Sequence, residues 1–194
     1  MGVSLAAAPV VSAAPTAVGD DAQRIYREQL SWLWQVLARL RVPDADLEDA
    51  AHDVFIVLHR RLGDWDRSRP LRPWLFGIAF RVAVARRRKA HVRREVGHDD
   101  TREFADHRHR PDDIALQNAS DAAARQLVLI GLDALDDDKR AVFVLHELEG
   151  VSIVDCVPIL QVPLNTLYSR LRLARARFTD AVRAAHRGEH DSAR

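Results

Sequence analysis

Residues 152–178 read SIVDCVPILQVPLNTLYSRLRLARARF, and this stretch decides how the C-terminal half of the chain folds. It predicts two helices joined by a tight corner at Gln161-Val162-Pro163. Ser152 and Asp155 have the spacing of a capping box that opens the first helix, and a proline suits the first turn of the second. Apolar residues then recur at spacings of three and four, which predicts one buried stripe made of Leu164, Leu167, Leu171, Ala174 and Phe178.

The opposite face of the second helix is polar and basic, and it carries Asn165, Thr166, Ser169, Arg172 and Arg177. Short polar side chains at the start of a helix can reach base edges in a major groove, while arginines behind them meet phosphates. The pattern therefore favours a DNA-binding helix-turn-helix. Spacing alone leaves open an amphipathic helix with a solvated basic face.

Charge is distributed unevenly along the 194 residues, although the net charge is only +1. Residues 60–94 contain twelve arginines and lysines but two acids, whereas residues 112–155 contain ten acids and three bases. A hydrophobic content of 47% and a charged content of 29% are typical of a globular chain with one sizeable core or two small ones. The segregated charge predicts two surfaces that meet partners of opposite character.

Composition also indicates the compartment. Cys156 is the sole cysteine of the sequence, which excludes an intrachain disulfide or cysteine metal site and favours a reducing cytoplasm. Residues 1–20 are rich in alanine, valine and proline but lack a basic start, so we interpret them as a disordered leader and not as a secretory signal. No apolar run in the sequence approaches the length of a membrane span.

Helical periodicity dominates the rest of the chain. It predicts helices over residues 20–41, 44–62 and 74–94, and again from residue 121 onward. Residues 96–120 lose all periodicity, which predicts a flexible linker. Neither strand periodicity nor an internal repeat is present in the sequence, so we predict an all-α fold of two small helical domains.

The second predicted helix begins with many acids, and its dipole favours them near that end. Asp49, His52 and Asp53 share one face at spacings that metal ligands use. A single histidine among exposed acids is, however, typical of a solvated face. We therefore predict neither a metal nor a cofactor.

Residues 63–73, GDWDRSRPLRP, are predicted to form a loop. Trp65 stands there among arginines, a combination that suits single-stranded nucleic acid because exposed bases stack on rings while cations follow the backbone. The alternative is that Trp65 folds back onto the core. The next helix ends in the basic run Arg86-Arg87-Arg88-Lys89, which favours the nucleic-acid interpretation.

Four segments together carry a family resemblance: DLEDAAHDVFIVLHRRL and RPWLFGIAFRVAVARRR, then LDALDDDKRAVFVLHELEG followed by residues 152–178. They resemble an extracytoplasmic-function sigma factor, the two-domain branch of the sigma-70 family, over about residues 22–187. The resemblance implies sigma region 2 over residues 21–95 and region 4 over residues 121–187. The linker 96–120 joins them, and a tail covers residues 188–194.

The resemblance also implies three sets of site residues. Those on the surface that docks core polymerase are Asp46, Asp49, His52, Asp53 and Phe55. Those that meet the minus-ten element as it melts are Trp65, Arg67, Arg69, Trp74, Arg81, Arg86, Arg87 and Arg88. Those on the helix that reads the minus-thirty-five element are Asn165, Thr166, Ser169, Arg170 and Arg172.

The implied function is to direct core RNA polymerase to promoters and to assist promoter melting. The implied partners are the beta-prime clamp helices, the beta flap, promoter DNA and an anti-sigma factor, with no membrane insertion. The chemistry would stay with the polymerase, so the chain is not expected to be an enzyme. His146-Glu147 lacks a second histidine at the spacing of a zinc helix, and the sequence contains no glycine-rich phosphate loop.

The sequence departs from the family pattern at several positions. Arg81 and Ala85 stand where asparagine and aspartate are frequent, Gln161 replaces a glycine at the corner, and Pro158 lies inside the first helix of the motif. A free-standing helix-turn-helix regulator that binds an operator as a dimer is the alternative function. It would leave the acidic helix and the Trp65 loop without a role.

Overall fold

The computed structural model describes residues 16–95 and 119–192, and every regular element in these ranges is helical. The N-terminal domain consists of α1 (Thr16–Arg39), α2 (Leu47–Arg61) and α3 (Leu71–Glu95). The C-terminal domain consists of α4 (Ala119–Asp133), α5 (Asp137–Phe143), α6 (Ile153–Leu160) and α7 (Leu164–Ser192). Tight 3-10 turns at Asp44–Asp46 and Leu62–Asp64 flank α2, and a wider π-helical turn at Val144–Leu148 follows α5. The predicted all-α fold of two helical domains is confirmed.

Each domain has a core built from the apolar stripes of its helices. In the N-terminal domain, α1 packs on α2 and both pack on α3, and side chains such as Leu37, Leu58 and Phe76 have no exposed surface. In the C-terminal domain, α7 is the central helix, and α4, α5 and α6 all contact it. Burial of these stripes stabilises the helices, because most helical stability in proteins comes from packing of an amphipathic face.

The stripe predicted on α7 forms as expected. Leu167, Leu171 and Ala174 are buried, while Leu164 and Phe178 at its two ends are half-buried. The Phe178 ring stacks on the ring of Phe143 from α5 with 4.6 Å between centroids. The apolar face of α7 therefore points into the domain and leaves its polar face to solvent.

The corner of the helix-turn-helix also follows its sequence signals. The Ser152 hydroxyl caps α6, since it accepts from the Asp155 backbone N–H at 3.2 Å and donates to the Asp155 carboxylate at 2.6 Å. Gln161 ends α6 in the left-handed conformation, at φ 58° and ψ 43°. Pro158 lies inside α6 as the sequence predicts, and the helix continues past it to Leu160.

Local signals also mark the ends of the segment before this corner. The Asp136 side chain accepts from the Lys139 backbone N–H at 3.0 Å and so caps α5. Gly150 has φ 70°, a conformation that glycine adopts without steric cost. A capping aspartate and a glycine of this conformation are both typical local signals of helix ends.

Three helix ends differ from the predicted boundaries. α1 begins at Thr16, inside the predicted leader, and the sequence contains no proline from residue 16 to residue 42 that would interrupt this helix. α3 begins at Leu71 and not at Trp74, since Pro73 in a first turn needs no backbone donor. α7 continues to Ser192, into the predicted tail. Residues 1–15, most of the predicted linker (96–118) and residues 193–194 lie outside the described residues.

The two domains pack against each other, which the sequence gives no means to predict. Glu149 after the π-helical turn accepts hydrogen bonds from the Trp32 indole at 2.7 Å and from Arg39 at 2.9 Å. Arg41 pairs with Asp133 at 3.3 Å. These partners are separated by 92 to 117 residues, so local periodicity carries no trace of them.

A buried arginine joins the helix ends at this junction. Arg140 is only 2% exposed, and its guanidinium donates to the carbonyls of Leu132 and Arg39 and pairs with Asp133 at 3.0 Å. A cation is favoured at the carboxyl ends of α1 and α4, where carbonyls lack helical partners. Burial lowers the pKa of Arg140 to about 10, which still leaves it charged near neutral pH.

Candidate nucleic-acid and protein-docking surfaces

The start of α7 presents the predicted recognition residues. Asn165, Thr166, Ser169 and Arg172 are all exposed. The Ser169 hydroxyl donates to the Asn165 carbonyl one turn earlier at 3.0 Å. Because these side chains lie opposite the buried stripe, the structure brings them together on one solvent-facing surface at the helix N-terminus.

Arg170 differs from these neighbours. It is half-buried and pairs with Asp138 of α5 at 2.6 Å. Any contact between Arg170 and DNA must therefore compete with a carboxylate that already holds it. Arg172 has no such hydrogen bond among the described contacts and projects freely.

The surroundings of Trp65 agree in part with both interpretations of its sequence, a base-stacking residue and a core residue. It is half-buried, its ring stacks beside the Trp74 ring at 6.5 Å between centroids, and its indole donates to the Arg69 carbonyl at 3.2 Å. The Arg67 guanidinium lies 5.6 Å from the Trp65 ring centroid. The structure thus brings an aromatic pair and a cation together at the surface, with part of Trp65 packed on the core.

Ion pairs and turn hydrogen bonds hold the loop around Trp65. Arg67 donates to Asp21 of α1 at 2.8 Å, and this hydrogen bond is the main reason why the pKa of the Asp21 carboxyl is lowered. The Asp66 carboxylate accepts from the Ser68 hydroxyl at 2.7 Å and from the Ser68 backbone N–H at 3.0 Å, which lowers the pKa of Asp66. The loop is therefore pre-ordered in the absence of nucleic acid.

The basic run at the end of α3 divides among different helix faces, because consecutive helical residues point about 100° apart. Arg86 is half-buried and pairs with Asp53 of α2. Arg87 is half-buried, donates to the Leu40 carbonyl at 2.5 Å and pairs with Asp137 at 3.1 Å. Its burial lowers its pKa. Arg81 and Arg88 are exposed. Two residues of the run thus bridge structural elements in the free chain, and the role of all three at the minus-ten element stays a prediction.

The acidic helix α2 also separates into exposed and internal residues. Asp49 and His52 are exposed, and Asp46 and Asp53 are half-buried. Phe55, predicted as a docking residue, is 8% exposed and packs on Tyr26 at 4.3 Å between ring centroids. Phe55 is therefore a core residue, because its helical position faces α1; the exposed apolar residue on this helix is Ile56.

Two further observations concern the described ranges only. Within residues 16–95 and 119–192, no three histidine, cysteine, aspartate or glutamate side chains cluster so as to hold a metal ion. The same ranges contain no helix that is both long enough and apolar enough to cross a membrane.

Comparison with known proteins agrees with this arrangement. Residues 25–93 match the family described as sigma-70 region 2, and residues 130–178 match sigma-70 region 4. The chain belongs to the sigma-70 family. It is an extracytoplasmic-function RNA polymerase sigma factor, and its function is promoter-specific initiation of transcription, in which sigma factors bind core RNA polymerase and promoter DNA.

Individual relatives cover most of this sigma factor. It is 29% identical over 167 residues to the ECF RNA polymerase sigma factor SigL of Mycobacterium tuberculosis, covering 84% of this chain and 90% of SigL. It is 26% identical over 150 residues to the ECF RNA polymerase sigma-E factor of Escherichia coli, covering 73% of this chain and 76% of that protein. The fold resembles the sigma factor RpoE in complex with the anti-sigma factor NepR from Bartonella quintana, with a TM-score of 0.65, 21% identity and coverage of 84% and 98%.

Some residues at the junction of regions 2 and 4 escaped prediction. Trp32, Glu149 and Arg140 form contacts between distant helices, and each looked like an ordinary residue of an amphipathic helix. The single available signal was the acidic triplet Asp136–Asp138. Asp136 of this triplet caps α5, and the structure shows that Asp137 and Asp138 also hold Arg87 and Arg170.

Proposed function

We propose that three surfaces of this sigma factor divide the work of promoter recognition. The start of α7 reads the minus-thirty-five element, the Trp65 loop and α3 meet the minus-ten element, and the exposed acids of α2 dock on core polymerase. The observation that carries the proposal is the exposed row Asn165, Thr166, Ser169 and Arg172 on a helix that follows a capped helix and a left-handed corner.

The recognition step follows from the position of that row. A helix inserted by its N-terminal end offers its first polar side chains to base edges, and its partial positive charge meets the phosphate backbone. Asn165 and Thr166 are in the first turn of α7 and lie nearest to bases, whereas Arg172 lies two turns on and suits phosphate or a guanine edge. Arg170 contributes only after it leaves Asp138.

The melting step needs a surface that favours unpaired bases. The paired rings of Trp65 and Trp74 offer a stacking platform, with Arg67 and Arg69 beside it for the sugar-phosphate chain. Asp21 and Asp66 already hold the loop in place. Binding of an unpaired base therefore costs little additional conformational entropy in the loop. Arg81 and Arg88 on α3 extend the positive surface along the helix.

The docking step assigns Asp49 and His52 to direct contact, with Asp46 and Asp53 at the edge of the surface. Charge complementarity of exposed residues mainly affects association rate and specificity. Phe55 supports the surface from beneath through its contact with Tyr26 and does not touch the partner.

We further propose that the chain has no catalytic activity and works beside the polymerase in the cytoplasm. Its family consists of non-enzymatic transcription factors, which supports this. An anti-sigma factor is a second protein partner, and the structure of RpoE with NepR from Bartonella quintana supports it by similarity. Nucleotide chemistry belongs to core polymerase, and this chain supplies binding energy and position.

The direct test is transcription in vitro with purified core polymerase on genomic fragments, followed by mapping of start sites. We expect discrete starts that depend on this protein and share upstream sequence at two spaced positions. Starts that are the same without the protein would overturn the proposal. Dyad-symmetric footprints by the free protein would instead favour a dimeric helix-turn-helix regulator, an alternative that leaves region 2 without a role.

A further inference from the structure

Large apolar side chains that stand in solvent are concentrated in the helix-turn-helix. In the described part of the chain they are Tyr26, Ile56, Val154, Tyr168 and Leu173. Three of these five lie within residues 152–178, and two of them are on α7. Such side chains contribute little to folding because they stay in water, and a concentration of them marks a surface that meets a partner.

Tyr168 lies at the edge of the exposed row on α7. Asn165 precedes it by three residues and Arg172 follows it by four, and residues at these spacings are neighbours on a helix surface. Tyr168 and Leu173 are about 140° apart around the helix, because each residue turns the helix by about 100°. Asn165, Ser169 and Arg172 lie between them. The row is therefore bordered by an aromatic ring in the second turn of α7.

The ring of Tyr168 is available to a partner. The other tyrosine of the sequence, Tyr26, is 38% exposed and packs its ring on Phe55 at 4.3 Å between centroids. Tyr168 is 52% exposed. It makes no ring contact, hydrogen bond or ion pair with any residue in the ranges that the structure describes. Its exposed ring therefore has no structural partner within those ranges.

The methyl group of thymine suits an apolar side chain at this place. In the major groove the base pairs differ in their hydrogen-bond donors and acceptors, and thymine also presents its C5-methyl group. The polar groups of Asn165 and Arg172 can read donors and acceptors, but they do not select for a methyl group. A tyrosine ring does, because contact between the ring and the methyl group removes apolar surface of both from water.

We propose that Tyr168 is a specificity-determining residue, whose ring packs on the C5-methyl group of a thymine in the minus-thirty-five element. This thymine lies beside the positions that Asn165 and Arg172 contact. The inference rests on the proposed role of α7, and it adds an apolar contact to the polar row. It makes the preference at one base pair depend on a methyl group and not on hydrogen bonds alone.

The first test uses the full chain bound to core polymerase. Duplex promoter fragments with a randomised upstream element are selected by the parent complex and by the Tyr168→Ala complex. We expect the parent to enrich thymine at one position. Tyr168→Ala should lose that enrichment and keep the preferences at the other positions. If no thymine preference depends on Tyr168, the inference is overturned.

A second measurement isolates the methyl group. Uracil in place of the selected thymine removes only the C5-methyl group and leaves base pairing intact. The parent complex should bind the uracil fragment about fourfold more weakly, which corresponds to the loss of one buried methyl group. Tyr168→Ala should bind both fragments equally, and Tyr168→Phe, which keeps the ring, should retain the fourfold difference. A difference that persists in Tyr168→Ala, or disappears in Tyr168→Phe, would contradict the ring contact.

Two other variants serve as controls on α7. Leu173→Ala shortens an exposed apolar side chain at the other border of the row, and Thr166→Ser removes a methyl group near the helix start. Both should keep the difference between thymine and uracil. If either abolishes it, that residue and not Tyr168 reads the methyl group. The midpoint of thermal unfolding of Tyr168→Ala should match the parent, and a clearly lower midpoint would show that the ring serves the fold.

Start-site mapping separates this inference from the proposed function. Absence of specific starts with the parent protein would overturn promoter recognition itself. Specific starts, together with an upstream preference that is the same in the parent and in Tyr168→Ala, would overturn only the thymine contact.

Discussion

Asp53 on α2 and Arg86 on α3 are paired, and both the Nε and Nη2 atoms of Arg86 donate to one oxygen of Asp53, at 3.0 and 2.6 Å. A residue expected to dock polymerase and one expected to bind DNA are thus partners of each other. The pair holds two helices of region 2 together. Asp49 is exposed, and it is therefore a better candidate than Asp53 for a residue that acts only in docking.

The two aspartates of α2 should therefore respond differently to charge reversal. Asp49→Lys should weaken association with core polymerase, because it removes complementarity from an exposed position. It should lower the free energy of unfolding by about 0.5 kcal/mol, because Asp49 lies in the first turn of α2, where the helix dipole favours an acid. Asp53→Lys should also lower the free energy of unfolding, by about 1 kcal/mol, since it places a cation beside Arg86. Urea unfolding and co-purification with core measure the two effects. Equal co-purification of Asp49→Lys and parent would refute the docking surface.

Trp65 should act only after the strands separate. Trp65→Ala should allow closed-complex formation but reduce strand opening, because stacking of an unpaired base contributes about 1–3 kcal/mol only in the open complex. Trp65→Phe keeps a ring beside Trp74 but loses the indole donor to Arg69, and it should retain most of the opening. Permanganate reactivity of unpaired thymines is the measurement. If Trp65→Ala forms no more open complex on a pre-melted bubble template than on a duplex template, Trp65 is a core residue and does not capture a base.

Two arginines on α7 should separate promoter affinity from stability. Arg172→Ala should cost about 1–3 kcal/mol in binding of the upstream element by the polymerase complex, with no change in unfolding. Arg170→Ala also removes the pair with Asp138, so its midpoint of unfolding should fall as well. Arg183→Ala, exposed farther along the same helix, controls for loss of one positive charge. An Arg183→Ala effect as large as that of Arg172→Ala would argue against a specific contact.

Gln161 should be a position where glycine is preferred. A residue with a Cβ atom costs about 1–2 kcal/mol in the left-handed conformation, and glycine avoids this cost. Glycine also increases the conformational entropy of the unfolded chain, which offsets part of the gain. Gln161→Gly should therefore raise the free energy of unfolding by up to about 1 kcal/mol, and Gln161→Ala should leave it near the parent value. Thermal unfolding measures both. A lower midpoint for Gln161→Gly would show that the glutamine side chain stabilises the corner.

Cys156 should be nearly inert in the folded protein. It has no exposed surface, and burial, assisted by Asp155, raises its pKa to about 11. The thiolate is the reactive form, so alkylation near pH 8 should be about a hundredfold slower than that of an ordinary thiol. Iodoacetamide labelling in buffer and in concentrated urea gives the comparison. Rapid labelling of the folded protein would place Cys156 outside the core.

Local sequence signals were sufficient for the elements of this fold. These signals each act within a few residues, so they can be identified from the sequence alone. They are the apolar spacing on α7, the caps at Ser152 and Asp136, and the glycine at position 150. The recognition face of α7 follows from the same helical spacing, because burial of the apolar stripe leaves the polar face exposed to solvent. The helical domains and the exposed row from Asn165 to Arg172 were predictable for this reason.

Tertiary packing settled which polar residues are free and which hold the structure. Neighbouring arginines at positions 86, 87 and 88 look alike in the sequence, but rotation along the helix turns one to Asp53, one to Asp137 and one to solvent. Phe55 was assigned to a surface and lies in the core, because the position of α1 covers its side of α2. The bonds of Glu149 to Trp32 and Arg39 span more than 100 residues, and such pairings depend on where whole helices come to rest, which no local pattern encodes.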